Sequence, residues 1–190
     1  MMKKFRQAKA MRELWQPVEI TVPGGRSLED LIAAGGYAKV DPDISEEHFP
    51  SPENASDVRR MIYFFRFDHR RFNQILKRFV TLSYIVGRMR RDITRGYVPM
   101  GIRELLAVGE KFKSLCPLVA LGDVWEYSFS NIIMTPLGKP KDVPTTVYAV
   151  PCIFEAGGSR ELGLRRFFVA PEAQKWETDW RFGAIDNSGR

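Results

Sequence analysis

The chain is 190 residues long, with a net charge of +6, 44% hydrophobic residues and 27% charged residues. That is enough chain for one domain with its own core, and the balance excludes wholesale disorder. Apolar runs such as Leu118 to Leu121 are far shorter than the roughly 20 residues of a membrane span, and the opening MMKKFRQAKAMREL has no apolar signal core, so a cytoplasmic protein that does not meet a membrane is expected.

Charge is unevenly spread: +4 over residues 1–16, −7 over 17–58, +9 over 59–95 and zero over 96–190. Either the acidic stretch lies against the basic one, or a basic face is exposed to phosphates or to an acidic partner. Residues 1–17 read as an arm or a short helix. Val18, Ile20 and Val22 alternate with polar residues and predict a half-buried strand that ends at Pro23, Gly24 and Gly25. Ser27 and Asp30 form a capping-box pattern ahead of Leu28, Leu31 and Ile32, and Gly35 with Gly36 supplies the stop, so a helix is predicted there.

The acidic DPDISEEHFP follows as a turn, then a polar connector, then the aromatic strand candidate Met61–Phe67. From Phe72 to Ile93 the apolar residues advance by threes and fours, predicting a long amphipathic helix over 72–95 whose polar side and end carry Arg88, Arg90, Arg91 and Arg95. A shorter helix is predicted over 102–112. Beyond it come short strand-like runs, many separated by proline or glycine. Helices early and strands late predict an α+β fold, with N-terminal helices packed on a C-terminal antiparallel sheet. The expected organisation is one domain over 18–190, helix-rich over 18–112 and strand-rich over 113–190.

Two helices around residues 94–101 suggest a helix-turn-helix, but the connection is too long and the second helix balances Arg103 and Lys111 with Glu104 and Glu110. A sequence-specific DNA reader is therefore disfavoured, and Arg88, Arg90, Arg91 and Arg95 remain as an unspecific site for nucleic acid or an acidic partner. Cys116 and Cys152 fit small buried side chains of a reducing compartment better than a disulfide. Cys152 with His69 and Asp68 could make a thiol–imidazole pair, and Glu172, Glu177 and Asp179 beside tryptophans could make a sugar site; packing is the preferred account of both. Trp125, Trp176 and Trp180 are the candidates for ligand stacking. Two histidines are too few for a histidine-rich metal site, and Asp41, Asp43, Glu46 and Glu47 lack the glycine and terminal glutamate of a calcium loop. No metal and no cofactor is expected.

GYVPMGIRELLAVGEKF, CPLVALGDVW, YAVPCIFE, SRELGLRRF and WRFGAI together resemble a family of small bacterial proteins for which no activity is established. The matching positions run from Gly96, Tyr97 and Pro99 through Glu104, Leu105, Leu106, Ala107 and Gly109, then Ala120 to Gly122, Val150 and Pro151, Arg160, Leu162 and Leu164, and Arg181, Phe182 and Ala184. Tyr37, Ile44, Phe49 and Pro50 match the family's opening segment. The chain departs from that pattern at Met100 for alanine, Asp123 for serine and Gly183 for leucine, and the segment from Trp125 to Tyr148 is expanded. The resemblance implies a shared fold and no reaction. A more distant likeness to C-type-lectin-like domains of the formylglycine-generating type implies fold alone, without that enzyme's paired cysteines.

The function expected from these residues is a non-catalytic binding or scaffolding module with no catalytic residues. Its partner is another macromolecule, a protein before a nucleic acid, and homo-oligomerisation stays open. The alternatives are nucleic-acid association through the basic helix 72–95 and a hydrolase or sugar-active enzyme.

Overall fold

The structure, a computed structural model, describes residues 11–13, 17–51, 56–67, 97–134, 136, 139–168 and 180–186. These form ten strands and two helices: β1 Met11–Glu13, β2 Val18–Val22, α1 Leu28–Gly35, β3 Lys39–Val40, β4 Val58–Phe67, β5 Tyr97–Pro99, α2 Ile102–Lys111, β6 Leu118–Val119, β7 Trp125–Met134, β8 Pro140–Ala156, β9 Ser159–Phe168 and β10 Arg181–Asp186. All ten strands belong to one mixed sheet, whose spine runs β1, β4, β10, β6, β8, β9, β3; β2 adds to β4, β5 to β10 and β7 to β8. β10 runs parallel to β6 and β3 parallel to β9, and the other pairs are antiparallel.

Alternation along the central strands buries both faces. Ile62, Phe64, Leu118, Ala149, Ile153 and Leu162 join the large core with Leu28 and Leu31 of α1 and Leu105, Leu106 and Val108 of α2. Phe65, Val119, Val150, Cys152, Phe182 and Ala184 form a second core on the opposite face. α1 starts as its sequence requires: Ser27 Oγ accepts from Asp30 N at 3.0 Å, Asp30 accepts from Ser27 N at 3.4 Å, and Gly36 closes the helix at φ 64°.

The C-termini of both helices are tied to the sheet by one side chain. Arg160 of β9 donates to the carbonyls of Gly35, at 2.9 Å, and Gly109, at 2.7 Å, while its guanidinium lies 4.7 Å from the Tyr37 ring centre. A cation at the last carbonyls answers the negative end of each helix. Burial pushes the Tyr37 hydroxyl up to about 12, against the pull of Arg160.

The expected layering, lectin-like or otherwise, is overturned. Strands from both halves of the chain interleave in one mixed sheet, with β4 directly beside β10, so the described residues do not divide into N-terminal helices packed on an antiparallel C-terminal sheet. β1 to β5, all before residue 112, share the sheet with β6 to β10. The late strands are also longer than the short runs predicted: β7 has 10 residues and β8 has 17.

Pro151 does not break β8, because its edge there changes partner. β7 pairs as far as Ala149 and β6 begins at Cys152. The Pro151 carbonyl accepts from Ala120 N at 3.0 Å, so the missing N–H of proline falls in the gap between the two partners. No helix among the described residues is long and apolar enough to cross a membrane. The predicted helix 72–95 lies outside the described residues.

Candidate functional site

A cavity of about 630 Å³ opens where the end of β2, the loop to residue 51, the start of β4 and the N-terminus of α2 meet. Its walls are apolar and polar in nearly equal part, with Val22, Phe49, Val58, Ile102, Val124 and Ile185 on the apolar side and His48, Ser56, Arg60, Arg103, Glu104 and Asp123 as polar groups. Its size lies in the range of small-molecule sites.

Most of these polar groups are already engaged. Arg103 donates from one Nη to Ser51 Oγ and from the other to the carbonyls of Pro23, at 2.6 Å, and Arg26, at 2.8 Å, so it clamps two loops to α2. Glu46 works from the opposite side of the same junction, accepting from Leu28 N, Ser51 N and Ser51 Oγ at 2.7 to 2.8 Å. Burial disfavours the Glu46 charge, but those bonds and nearby Arg103 outweigh it and hold its carboxyl below the usual range. Asp123 Oδ2 accepts from Ile102 N at 2.6 Å and Glu104 Oε2 from Gly101 N at 3.1 Å. Gly101, the N-cap of α2, has no side chain of its own, and Asp123 supplies the missing acceptor from 21 residues away.

Arg60 differs from its neighbours. Its Nε is buried without a hydrogen-bond partner. The register Ile20↔Arg60 places it on the core-facing side of β4, together with Val58 and Ile62. His48 Nδ1 lies 2.8 Å from the Asp43 carbonyl oxygen, which can only accept, so Nδ1 is the donor of that bond.

From His48 a row of rings leaves the cavity along β7. His48 stacks on Trp125 with centres 4.0 Å apart, Trp125 on Tyr127 at 4.4 Å, and Tyr127 is followed by Phe129 at 6.4 Å. Period-two alternation puts the three strand residues on one face, and exposure rises outward to 39% at Phe129. Among the described residues β7 pairs with β8 alone, which makes it an edge strand of ten residues. It carries one charge, Glu126, and no proline, lysine or arginine.

The sequence candidates fall as follows. Trp125 is half-buried, and its ring is already in two stacks. Trp180 is 7% exposed in the second core, 5.7 Å from the Arg165 guanidinium, so its ring is a core ring. Trp176, Arg88, Arg90, Arg91, Arg95, His69, Asp68, Glu172, Glu177 and Asp179 lie outside the described residues.

Cys152 is buried, its thiol donating to the Gly163 carbonyl at 3.4 Å, and burial pushes it up to about 12, the wrong direction for a nucleophile. Both cysteines are free. Asp41 and Asp43 bind the Arg166 guanidinium at 2.9 to 3.3 Å, so part of the acidic stretch is neutralised within the fold. Among the described residues no group of three or more His, Cys, Asp or Glu could hold a metal ion.

Sequence reasoning missed Arg60 and the edge character of β7. Both depend on which strands pair in the sheet, which no local pattern encodes. No family model, no curated protein and no solved structure matches the chain.

Proposed function

We propose that the protein is a non-catalytic recognition module that takes an extended segment of a partner protein along the outer edge of β7. The observation that carries this reading is a ten-residue edge strand with a single charge and with the ring series Trp125, Tyr127 and Phe129 on one face. Edge strands ordinarily carry lysine, proline, bulges or inward charges that block pairing with another chain. Among the described residues the outer backbone edge of β7 is unpaired, and Ile132 stands at 72% exposure on the opposite face. Main-chain bonds would supply affinity, and the alternating rings would select the side chains of the added strand.

A protein suits this edge better than a nucleic acid because β7 has no cation to meet phosphate. A binding role suits the cavity better than catalysis, since Arg103, Glu104 and Asp123 are spent on backbone and loop contacts.

The test compares proteins captured from the host by the wild-type chain with those captured by Phe129→Ala and Ile132→Lys, after nuclease treatment. Both substitutions are at exposed positions and leave the core intact. A partner retained by the wild type and lost from both variants supports the reading. An identical set of partners, or partners lost with nuclease alone, overturns it, and a concentration-dependent dimer abolished by the same variants would make a second copy the occupant.

A further inference from the structure

We propose that the cavity beside α2 binds a small organic acid, one carboxylate on an apolar body, with the Arg60 guanidinium as its charge partner. Most charges that line the cavity are already engaged. Arg103 is held by Ser51 Oγ and two carbonyls and faces Glu46. Asp123 and Glu104 are answered by consecutive backbone N–H groups at the N-terminus of α2. Among the described residues Arg60 alone of these charged groups has no hydrogen-bond or ion-pair partner, and its Nε is buried.

A half-buried cation without a partner loses hydration and gains nothing in return unless something else supplies the acceptor. A guanidinium presents parallel N–H donors that match a carboxylate in two-point geometry. The remaining wall selects the rest of the ligand. Val22, Phe49, Val58, Ile102, Val124 and Ile185 offer apolar surface to a short alkyl or aryl body, and about 630 Å³ accommodates a molecule of that size. A dianionic phosphate fits less well, because the carboxylates of Glu104 and Asp123 line the same space and only one guanidinium is unspent.

This site is independent of the β7 edge and stands or falls separately. The probes are hexanoate and benzoate, with hexanol and benzyl alcohol as uncharged counterparts and inorganic phosphate as the competing anion. Saturation-transfer NMR on the intact chain reads their binding at millimolar concentration. At least one acid is expected to bind saturably, while its alcohol and phosphate bind at least about tenfold more weakly.

Arg60→Met keeps the stem and removes the charge, and is expected to weaken the acid at least about tenfold. Val124→Trp adds bulk at the mouth from a position that is 40% exposed and should block entry without disturbing the core. Failure of both acids to bind the wild type overturns the proposal. So does equal binding to Arg60→Met, or undiminished binding to Val124→Trp should Arg60→Met fail to fold. Phosphate binding as tightly as either acid would likewise refute a carboxylate site.

Discussion

Replacing Arg103 with alanine should cost more stability than any other surface-reachable change around the cavity. Its two Nη groups satisfy three acceptors, Ser51 Oγ and the carbonyls of Pro23 and Arg26, and hold residues 23–26 and 51 against α2. A hydrogen bond from a charged donor contributes roughly 1.5 to 3 kcal/mol. The three share one partly exposed side chain and do not add, so a total near 3 kcal/mol is the working figure. For a chain of this size each kcal/mol moves the midpoint by about 2–4 °C, which gives a fall of about 6–12 °C.

Lysine keeps the charge but offers a compact ammonium instead of a fork, so Arg103→Lys should recover only part of the loss. Urea unfolding with a shared slope, alongside thermal melts, measures both variants. If Arg103→Ala stays within about 0.5 kcal/mol of wild type, as an ordinary surface substitution does, the clamp described here is wrong.

Three further outcomes follow from contacts elsewhere. Met100 is fully buried, and a Cβ on Gly183 would lie inside its side chain, so these two residues share one site. Gly183→Leu alone should destabilise by overpacking and Met100→Ala alone by leaving a cavity, about 2–5 kcal/mol for the latter, while the double variant should regain at least about 1 kcal/mol in a double-mutant cycle; strict additivity would separate the two positions. Glu46, whose carboxyl titrates lower in the folded chain than in the unfolded one, contributes stability that is present above the unfolded value and lost as pH falls through the folded one. Glu46→Gln should therefore lie below wild type at neutral pH and converge with it in acid, and parallel stability–pH curves would contradict this. Alkylation of the native chain should label half-buried Cys116 and spare Cys152 until unfolding, because the latter thiol is buried and pushed up to about 12.

Local features of the fold were legible in the sequence. Ser27 and Asp30 with Gly35 and Gly36 mark α1, and the apolar set of Ile102, Leu105 and Leu106 marks α2, because caps and periodicity act within a few residues. The sheet was not legible. β4 reads as a strand, yet which of its sides faces α2 is hidden, since Ile62 and Phe64 on one side and Tyr63 and Phe65 on the other are all apolar or aromatic. Only pairing with β2 and β10 assigns the faces, and with them Arg60.

The strand ends were misplaced for a related reason. Proline halts a strand when its N–H is required by a neighbour, and at Pro151 the neighbour changes, a fact of tertiary pairing. At the site, the tryptophan signal led to Trp125, but aromatic residues stack on each other as readily as on a ligand, and His48 and Tyr127 took its ring. Asp123 gave no cap signal because a capping acceptor 21 residues away leaves no local pattern.

The reading of β7 as a docking edge meets its most direct test in hydrogen exchange. In an antiparallel strand alternate residues direct their N–H groups to opposite sides, so β8 protects one set and the other faces outward. With the captured partner bound, roughly every second amide of Trp125–Met134 should gain protection while α1 and α2 exchange as before. Unchanged exchange along β7 in the complex, with protection gained elsewhere, would contradict it.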